Sequence, residues 1–140
     1  MAASVSPRLG DVAVGDELPP LDVPLTRSTI VATALASRDY TEVHHDPTIA
    51  VKGGTRDIYM NILSTNGYVG RFVTDWAGPD AVLKKVSIRL GVPNHPGDTM
   101  HLTGIVTAKD DAAGTVEVSV RGANSLGDHV TGSVTLSLPS

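Results

Sequence analysis

The chain has 140 residues, of which 41% are hydrophobic and 19% are charged, and its formal net charge is −4. A mildly acidic chain without a block of like charge lacks the basic face that nucleic-acid binding requires. The absence of cysteine excludes disulfides, thiol nucleophiles and Cys-ligated metal sites. No segment approaches the roughly 20 apolar residues of a membrane span, and the first residues lack the apolar core of a secretory signal. We therefore expect a soluble cytoplasmic protein with one domain over residues 1–140, which binds neither nucleic acid nor membrane.

The first third of the chain is predicted to be irregular and then helical. Residues 1–12 are expected to form a mobile lead-in. The segment DELPPLDVPLT at 16–26 contains three prolines, which restrict it to an irregular edge strand or to an extended segment before the first helix. Apolar residues at helical spacing then predict a short helix over 26–36, with Ser28 as its N-cap.

The second third is predicted to contain the longest helix. A proline at the start and a pair of glycines at the end indicate one helical turn over 47–54. Residues 57–76 carry an apolar stripe with offsets of three, four and seven, which is typical of a long amphipathic helix. Gly67 and Gly70 each cost about 1 kcal/mol relative to Ala within a helix, which favours close packing of another group there.

In the last third of the chain, apolar and polar residues alternate with a period of two instead of the helical period of 3.6. Tight turns rich in Gly and Asp separate four predicted strands, at 82–90, 100–108, 115–123 and 129–138. Four such strands predict an antiparallel meander. A long helix followed by a meander indicates an α+β domain with the sheet wrapped around the helix, which is the arrangement of the hotdog fold.

Between the first two helices, the segment SRDYTEVHHDP at 37–47 concentrates carboxylates and imidazoles. A solvated loop, a metal site and an acid–base site would each explain it. A metal needs three or four converging ligands, whereas the side chains of His44 and His45 are adjacent in sequence and tend to diverge. Asp39 and His44 are five residues apart across an irregular loop, so both could enter one cavity and hold a water. We expect a site without metal.

The same segment resembles the hydratase motif of the MaoC-like dehydratase family, which includes the (R)-specific enoyl-CoA hydratases. The family pattern reads Ser-Gly-Asp-x-Asn-Pro-x-His and continues into an Asp-Pro turn. Asp39 falls on its catalytic aspartate and His44 on its catalytic histidine. The segment GVPNHPGDTM is similar to the turn that begins the next strand of these proteins, and the resemblance covers roughly residues 15–138.

The resemblance implies a hotdog fold and the hydration of a 2-enoyl-CoA to a 3-hydroxyacyl-CoA, with no cofactor. Tyr59 and Met60, near the start of the predicted long helix, form either an ordinary first helical turn or the source of a backbone N–H that binds the thioester oxygen. Arg38, which replaces the family's glycine, is a candidate contact for a coenzyme A phosphate or a partner chain. Thr41 and Glu42 replace the family's Asn-Pro pair.

Within that family, the segments RDYTEVHHDP and RDIYMNILSTNGYVGRFVTDWAGP resemble the small catalytic subunit of actinobacterial heteromeric hydratases that act on steroid side chains. This likeness implies an acyl-CoA substrate with a bulky acyl group, and a second, catalytically degenerate hotdog subunit in a heterodimer or heterotetramer. Three alternatives remain from the sequence: a hotdog acyl-CoA thioesterase, an acyl-carrier-protein dehydratase, and a non-catalytic subunit that completes another chain's tunnel.

Overall fold

In the computed structural model, which describes residues 2–140, a five-stranded antiparallel sheet curls around one long helix. The strands are β1 (Leu21–Pro24), β2 (Val82–Leu90), β3 (Thr99–Asp110), β4 (Thr115–Asn124) and β5 (Gly127–Ser137). Their order across the sheet is β1-β3-β4-β5-β2, and each neighbouring pair is antiparallel. The α+β hotdog architecture predicted from the sequence is confirmed.

The three helices are α1 (Arg27–Ala36), α2 (Pro47–Lys52) and α3 (Ile62–Ala77). The hydroxyl of Thr26 accepts a hydrogen bond from the N–H of Thr29 and so caps α1, whereas the predicted cap, Ser28, lies inside that helix. Across residues 2–140, no helix has the length and apolar character needed to cross a membrane.

The long helix α3 begins at Ile62, five residues later than the sequence predicts. Its N-cap is Asn61, and the residues before it are not helical because their backbone groups bond elsewhere. The N–H of Tyr59 donates to the carbonyl of Val43, and the N–H of Met60 donates to the carbonyl of Asn94. These two bonds tie the segment before α3 to distant parts of the chain.

The core lies between α3 and the concave face of the sheet. Side chains on β4 alternate between buried and exposed, as expected for a strand with one face covered. Phe72 of α3 lies against Gly104 of β3, where a Cβ would come within 2.9 Å of the aromatic ring. Burying each large apolar side chain stabilises the fold by about 1.5–3 kcal/mol, which fixes the position of α3 against the sheet.

Two predictions about connectivity and order are wrong. The four later strands do not form a simple meander, because β2 pairs with β5 at one edge of the sheet while β1 pairs with β3 at the other. The lead-in is packed: Leu9 and Val12 are buried in the core, and the N–H of Leu9 donates to the carbonyl of Pro139 at 2.8 Å. Met1, which belongs to the same predicted lead-in, lies outside the described residues.

Candidate active site

The turn that ends α1 places Asp39 at the site. The N–H of Arg38 donates to the carbonyl of Leu35 and the N–H of Asp39 donates to that of Ala34, both at 3.0 Å. This pair of bonds is the Schellman arrangement, in which the first of the two donor residues is left-handed. Arg38 has a φ of 56°, so it occupies the left-handed conformation in which the family pattern has glycine.

The carboxylate of Asp39 is held at both oxygens. Thr41 donates to Oδ1 from its hydroxyl at 2.7 Å and from its backbone N–H at 3.1 Å. Asn61 donates to Oδ2 from Nδ2 at 3.1 Å. The hydrogen bonds from Thr41, then that from Asn61, lower the pKa of Asp39 to about 2, with a smaller effect from nearby His44. Asp39 is therefore an anion at neutral pH.

His44 lies at the end of a 3₁₀ turn, Glu42–His44, and its side chain is 9% exposed. Its Nδ1 is 2.7 Å from the carbonyl oxygen of Tyr59, so we assign the N–H to Nδ1 in the neutral imidazole. Nε2 then carries a lone pair and lies 3.3 Å from Oδ2 of Asp39. Two acceptors face each other, and a proton or an O–H donor between them would satisfy both.

Asp39 and His44 open into a cavity of about 390 Å³ between the α1–α2 connection, the segment before α3 and the end of β2. Most of its wall is apolar, which is usual for a small-molecule site with a few polar groups that fix orientation. The remaining lining residues are Thr55, Tyr59, Met60, Asn61, Ile62, Leu90, Gly91, Val92, Pro93 and His129.

Of the five site residues predicted from the sequence, the structure brings four together. Asp39, His44, Tyr59 and Met60 line this cavity. The ring of Tyr59 meets that of His44 edge to face, with centroids 5.2 Å apart. Arg38 is exposed and does not line the cavity.

The predicted role of Tyr59 and Met60 as amide donors needs correction. Their N–H groups already donate to protein carbonyls, as described above. Within residues 2–140, the N–H groups of Asn61 and Ile62 donate to no protein acceptor, and both residues line the cavity. Both amides lie at the N-terminus of α3, where the helix dipole favours negative charge.

Sequence reasoning missed two cavity residues, Asn61 and His129. His129 is buried and bonds to the carbonyl of Val92 at 2.6 Å and to the hydroxyl of Thr65 at 2.8 Å. Burial lowers the pKa of its imidazole, so His129 is a neutral wall residue. Asn61 had a usable signal, because Asn directly before an apolar helical run is a preferred N-cap. No such signal identifies His129.

Metal ligands do not gather at this site. Throughout residues 2–140, no three His, Asp or Glu side chains are placed so that they could share one ion. His95 lies in a separate position, with its Nδ1 2.9 Å from the carbonyl of Ile58.

Comparison with known proteins places the chain in a family through individual relatives. No family model matches the chain. The chain is 50% identical over 125 residues to the 3-oxo-4,17-pregnadiene-20-carboxyl-CoA hydratase beta subunit of Mycobacterium tuberculosis, which corresponds to 89% of this chain and 95% of that protein.

Two solved structures extend the comparison. A chain of the ChsH1–ChsH2 complex from Mycobacterium tuberculosis superposes with a TM-score of 0.87 at 50% identity, over 90% of this chain and 98% of that one. A MaoC-like dehydratase superposes with a TM-score of 0.87 at 26% identity, over 96% of this chain and 43% of that one. The chain therefore belongs to the MaoC-like hydratase family of hotdog proteins.

Proposed function

We propose that this chain is the catalytic subunit of an enoyl-CoA hydratase, which adds water to a 2-enoyl-CoA thioester and forms a 3-hydroxyacyl-CoA. The observation that carries the proposal is the approach of an ionised Asp39 to within 3.3 Å of Nε2 of His44 at the wall of an apolar cavity. The 50% identity to a subunit named as a steroid CoA hydratase supports the reaction, and it favours a bulky, ring-bearing acyl group as the substrate.

The two facing acceptors suit a bound water. A water between them would donate one hydrogen to Oδ2 of Asp39 and the other to Nε2 of His44, and its lone pair would point into the cavity. Because the pKa of Asp39 is about 2, that carboxylate is a weak base. The proton lost as the water oxygen bonds to C3 therefore goes to Nε2 of His44, which is the general base.

Attack at C3 moves the electron pair of the double bond toward the thioester oxygen. The free N–H groups of Asn61 and Ile62 are the donors available to stabilise this enolate, aided by the dipole of α3. His44 then returns the proton to C2 on the face from which water entered. The net change is the addition of one water, and it requires no cofactor beyond the coenzyme A of the substrate.

The side chains of this chain are less suited to the two alternative reactions, thioester hydrolysis and dehydration on a carrier protein. A thioesterase of this fold would favour a carboxylate in the middle of α3, but the single carboxylate of that helix is Asp75 near its C-terminal end. Asp57, before the helix, is held by the guanidinium of Arg27 at 2.8 Å. A carrier-protein dehydratase needs a basic docking patch, and the chain has only 11 Lys and Arg residues in total.

We further propose that a second hotdog chain closes the cavity. Ile62 lines the cavity and yet is 51% exposed, and its neighbour Leu63 is 53% exposed, so the wall is incomplete on the α3 side. Strand β2 lies at the edge of the sheet, and it exposes Val82 and Leu83 beside α3. An exposed apolar edge strand beside an apolar helix face is a liability for a lone chain and a suitable surface for a partner's sheet.

A substitution at Gly67 on α3 can show whether this surface binds the partner. A Cβ at this position would meet nothing within 4 Å in the described chain, so no contact inside the chain requires glycine. Gly67→Ala should raise the free energy of unfolding of the isolated chain by about 1 kcal/mol, because alanine favours helix more than glycine does. The same change should weaken association with the partner chain. Urea unfolding and a binding titration measure the two effects. Unchanged affinity would remove Gly67 from the interface.

Arg38 remains a proposed contact for a coenzyme A phosphate or for the partner. Arg38→Gly should raise the free energy of unfolding by about 1 kcal/mol, because the left-handed conformation strains every residue except glycine. If the guanidinium contacts the substrate, the same variant should raise KM and leave kcat unchanged. Thermal unfolding and initial rates measure these effects, and an unchanged KM would limit Arg38 to its role in the turn.

The activity itself is tested on the complex of this chain with its partner. We expect loss of the conjugated enoyl-thioester absorbance and formation of a hydrated product, with bulky ring-bearing and short straight-chain 2-enoyl-CoA substrates compared side by side. A complex that hydrates none of these substrates, or that releases free coenzyme A instead, would contradict the proposed function.

A further inference from the structure

Asn61 occupies a position that links the long helix to the carboxylate of Asp39. It is 2% exposed, and its side chain uses both ends of the amide. The oxygen Oδ1 caps α3 by accepting hydrogen bonds from the N–H of Ser64, at 3.0 Å, and from the Ser64 hydroxyl. The nitrogen Nδ2 donates to Oδ2 of Asp39 at 3.1 Å and to the hydroxyl of Ser37 at 2.9 Å.

The hydrogen bond from Asn61 is made to Oδ2 of Asp39, the carboxylate oxygen that is close to His44. Thr41 holds Oδ1, whereas Asn61 holds Oδ2, which is the oxygen 3.3 Å from Nε2 of His44. An amide nitrogen has two hydrogens, and both are committed, one to Asp39 and one to Ser37. The amide therefore has no free donor, and its oxygen is fixed by the cap of α3.

We propose that Asn61 is a positioning residue, which ties Oδ2 of Asp39 to the N-terminus of α3 and so keeps the dyad in register with the amide donors there. This inference rests on the proposed hydratase function. The N–H groups of Asn61 and Ile62, which have no acceptor among residues 2–140, lie at the start of the same helix that Asn61 caps. One side chain thus sets the distance between the water-binding carboxylate and the site of the developing enolate.

Asn61→Ser is the principal test. Serine is also a preferred N-cap, so it keeps a hydroxyl for α3 but loses both amide donors. We expect kcat to fall by about 10- to 100-fold with little change in KM, because small displacements of catalytic groups have effects of this size. The pKa of Asp39, followed by carboxyl carbon NMR, should rise. The titratable group facing Asp39 is His44, while Tyr59 and His129 line the same cavity, so their titrations are followed as well.

Asn61→Asp gives an independent measurement. Its carboxylate keeps an oxygen for the Ser64 cap but places a second anion against Oδ2 of Asp39. We expect a larger fall in kcat and a larger rise in the pKa of Asp39 than in Asn61→Ser. Thr26→Ala is the control, because it removes the N-cap of another helix, α1, and leaves the dyad intact.

The inference is overturned if Asn61→Ser loses no more kcat than Thr26→Ala does and the pKa of Asp39 is unchanged. A fall in melting temperature without these two changes would mean that Asn61 is only a helix cap. Failure of the hydratase proposal looks different, because the wild-type complex would then be inactive. The carboxyl titration would still report whether Asn61 holds Asp39.

Discussion

Asp39→Asn and His44→Ala should each lower kcat for hydration by at least about 100-fold, which is the usual effect of losing a general acid–base group. In His44→Ala the acceptor that takes the proton from water is gone. In Asp39→Asn one of the two acceptors for the water is replaced by an amide, whose nitrogen would face either Nε2 of His44 or a donor on Thr41. Initial rates on a verified 2-enoyl-CoA substrate measure both losses.

His45→Ala is the matched control for this pair of variants. His45 is adjacent to His44 but exposed, and it does not line the cavity. We expect its kcat to stay near that of the wild type. Circular dichroism and melting temperature establish that the two dyad variants still fold. Hydratase activity near the wild-type level in Asp39→Asn or in His44→Ala would refute the assignment.

The proximity of Asp39 and His44 could be predicted from the sequence because their geometry is mostly local. Asp39 follows a helix end with a standard turn, and His44 comes five residues later, so neither position depends on distant strands. The predicted start of α3 is wrong because the apolar period that defines this helix continues upstream through Ile58. That period does not reveal that the backbone of Tyr59 and Met60 bonds to Val43 and Asn94 instead. Such bonds join residues far apart in sequence.

The difference between local and long-range interactions also explains which parts of the fold prediction are wrong. Strand positions follow from alternation within a few residues, and the start of β2 at Val82 and of β4 at Thr115 agrees with the sequence prediction. Alternation does not reveal which strands pair with each other. The meander predicted from the sequence therefore places β2 beside β3, whereas β2 pairs with β5. Burial of Leu9 is likewise long-range, because its backbone partner is Pro139 at the other end of the chain.

The association with a second hotdog chain should depend on the exposed apolar residues at the N-terminus of α3. Leu63→Arg should weaken binding of the partner by about 100-fold or more, since an unpaired charge in an interface costs several kcal/mol. Leu63 is 53% exposed in the single chain, so the fold itself should tolerate arginine. Sedimentation velocity and a binding titration of the purified chains measure the loss.

Leu126→Arg is the matched control, because Leu126 is 46% exposed but lies in the turn between β4 and β5. It should leave both affinity and activity unchanged. Equal loss of affinity in the two variants would point to a general effect of added charge and would contradict the surface assigned here.

The partner should also determine which substrates are hydrated. The cavity of about 390 Å³ lies toward the lower end of the roughly 300–1,000 Å³ that ligand sites span, and its wall ends at the exposed side chain of Ile62. A symmetric pair of this chain would offer two such narrow sites, whereas a partner freed from catalysis could widen one of them. We therefore expect ring-bearing enoyl-CoA substrates to be hydrated much faster by the heteromer than by this chain alone. The hypothesis fails if the homodimer hydrates polycyclic substrates at a rate that the partner does not increase.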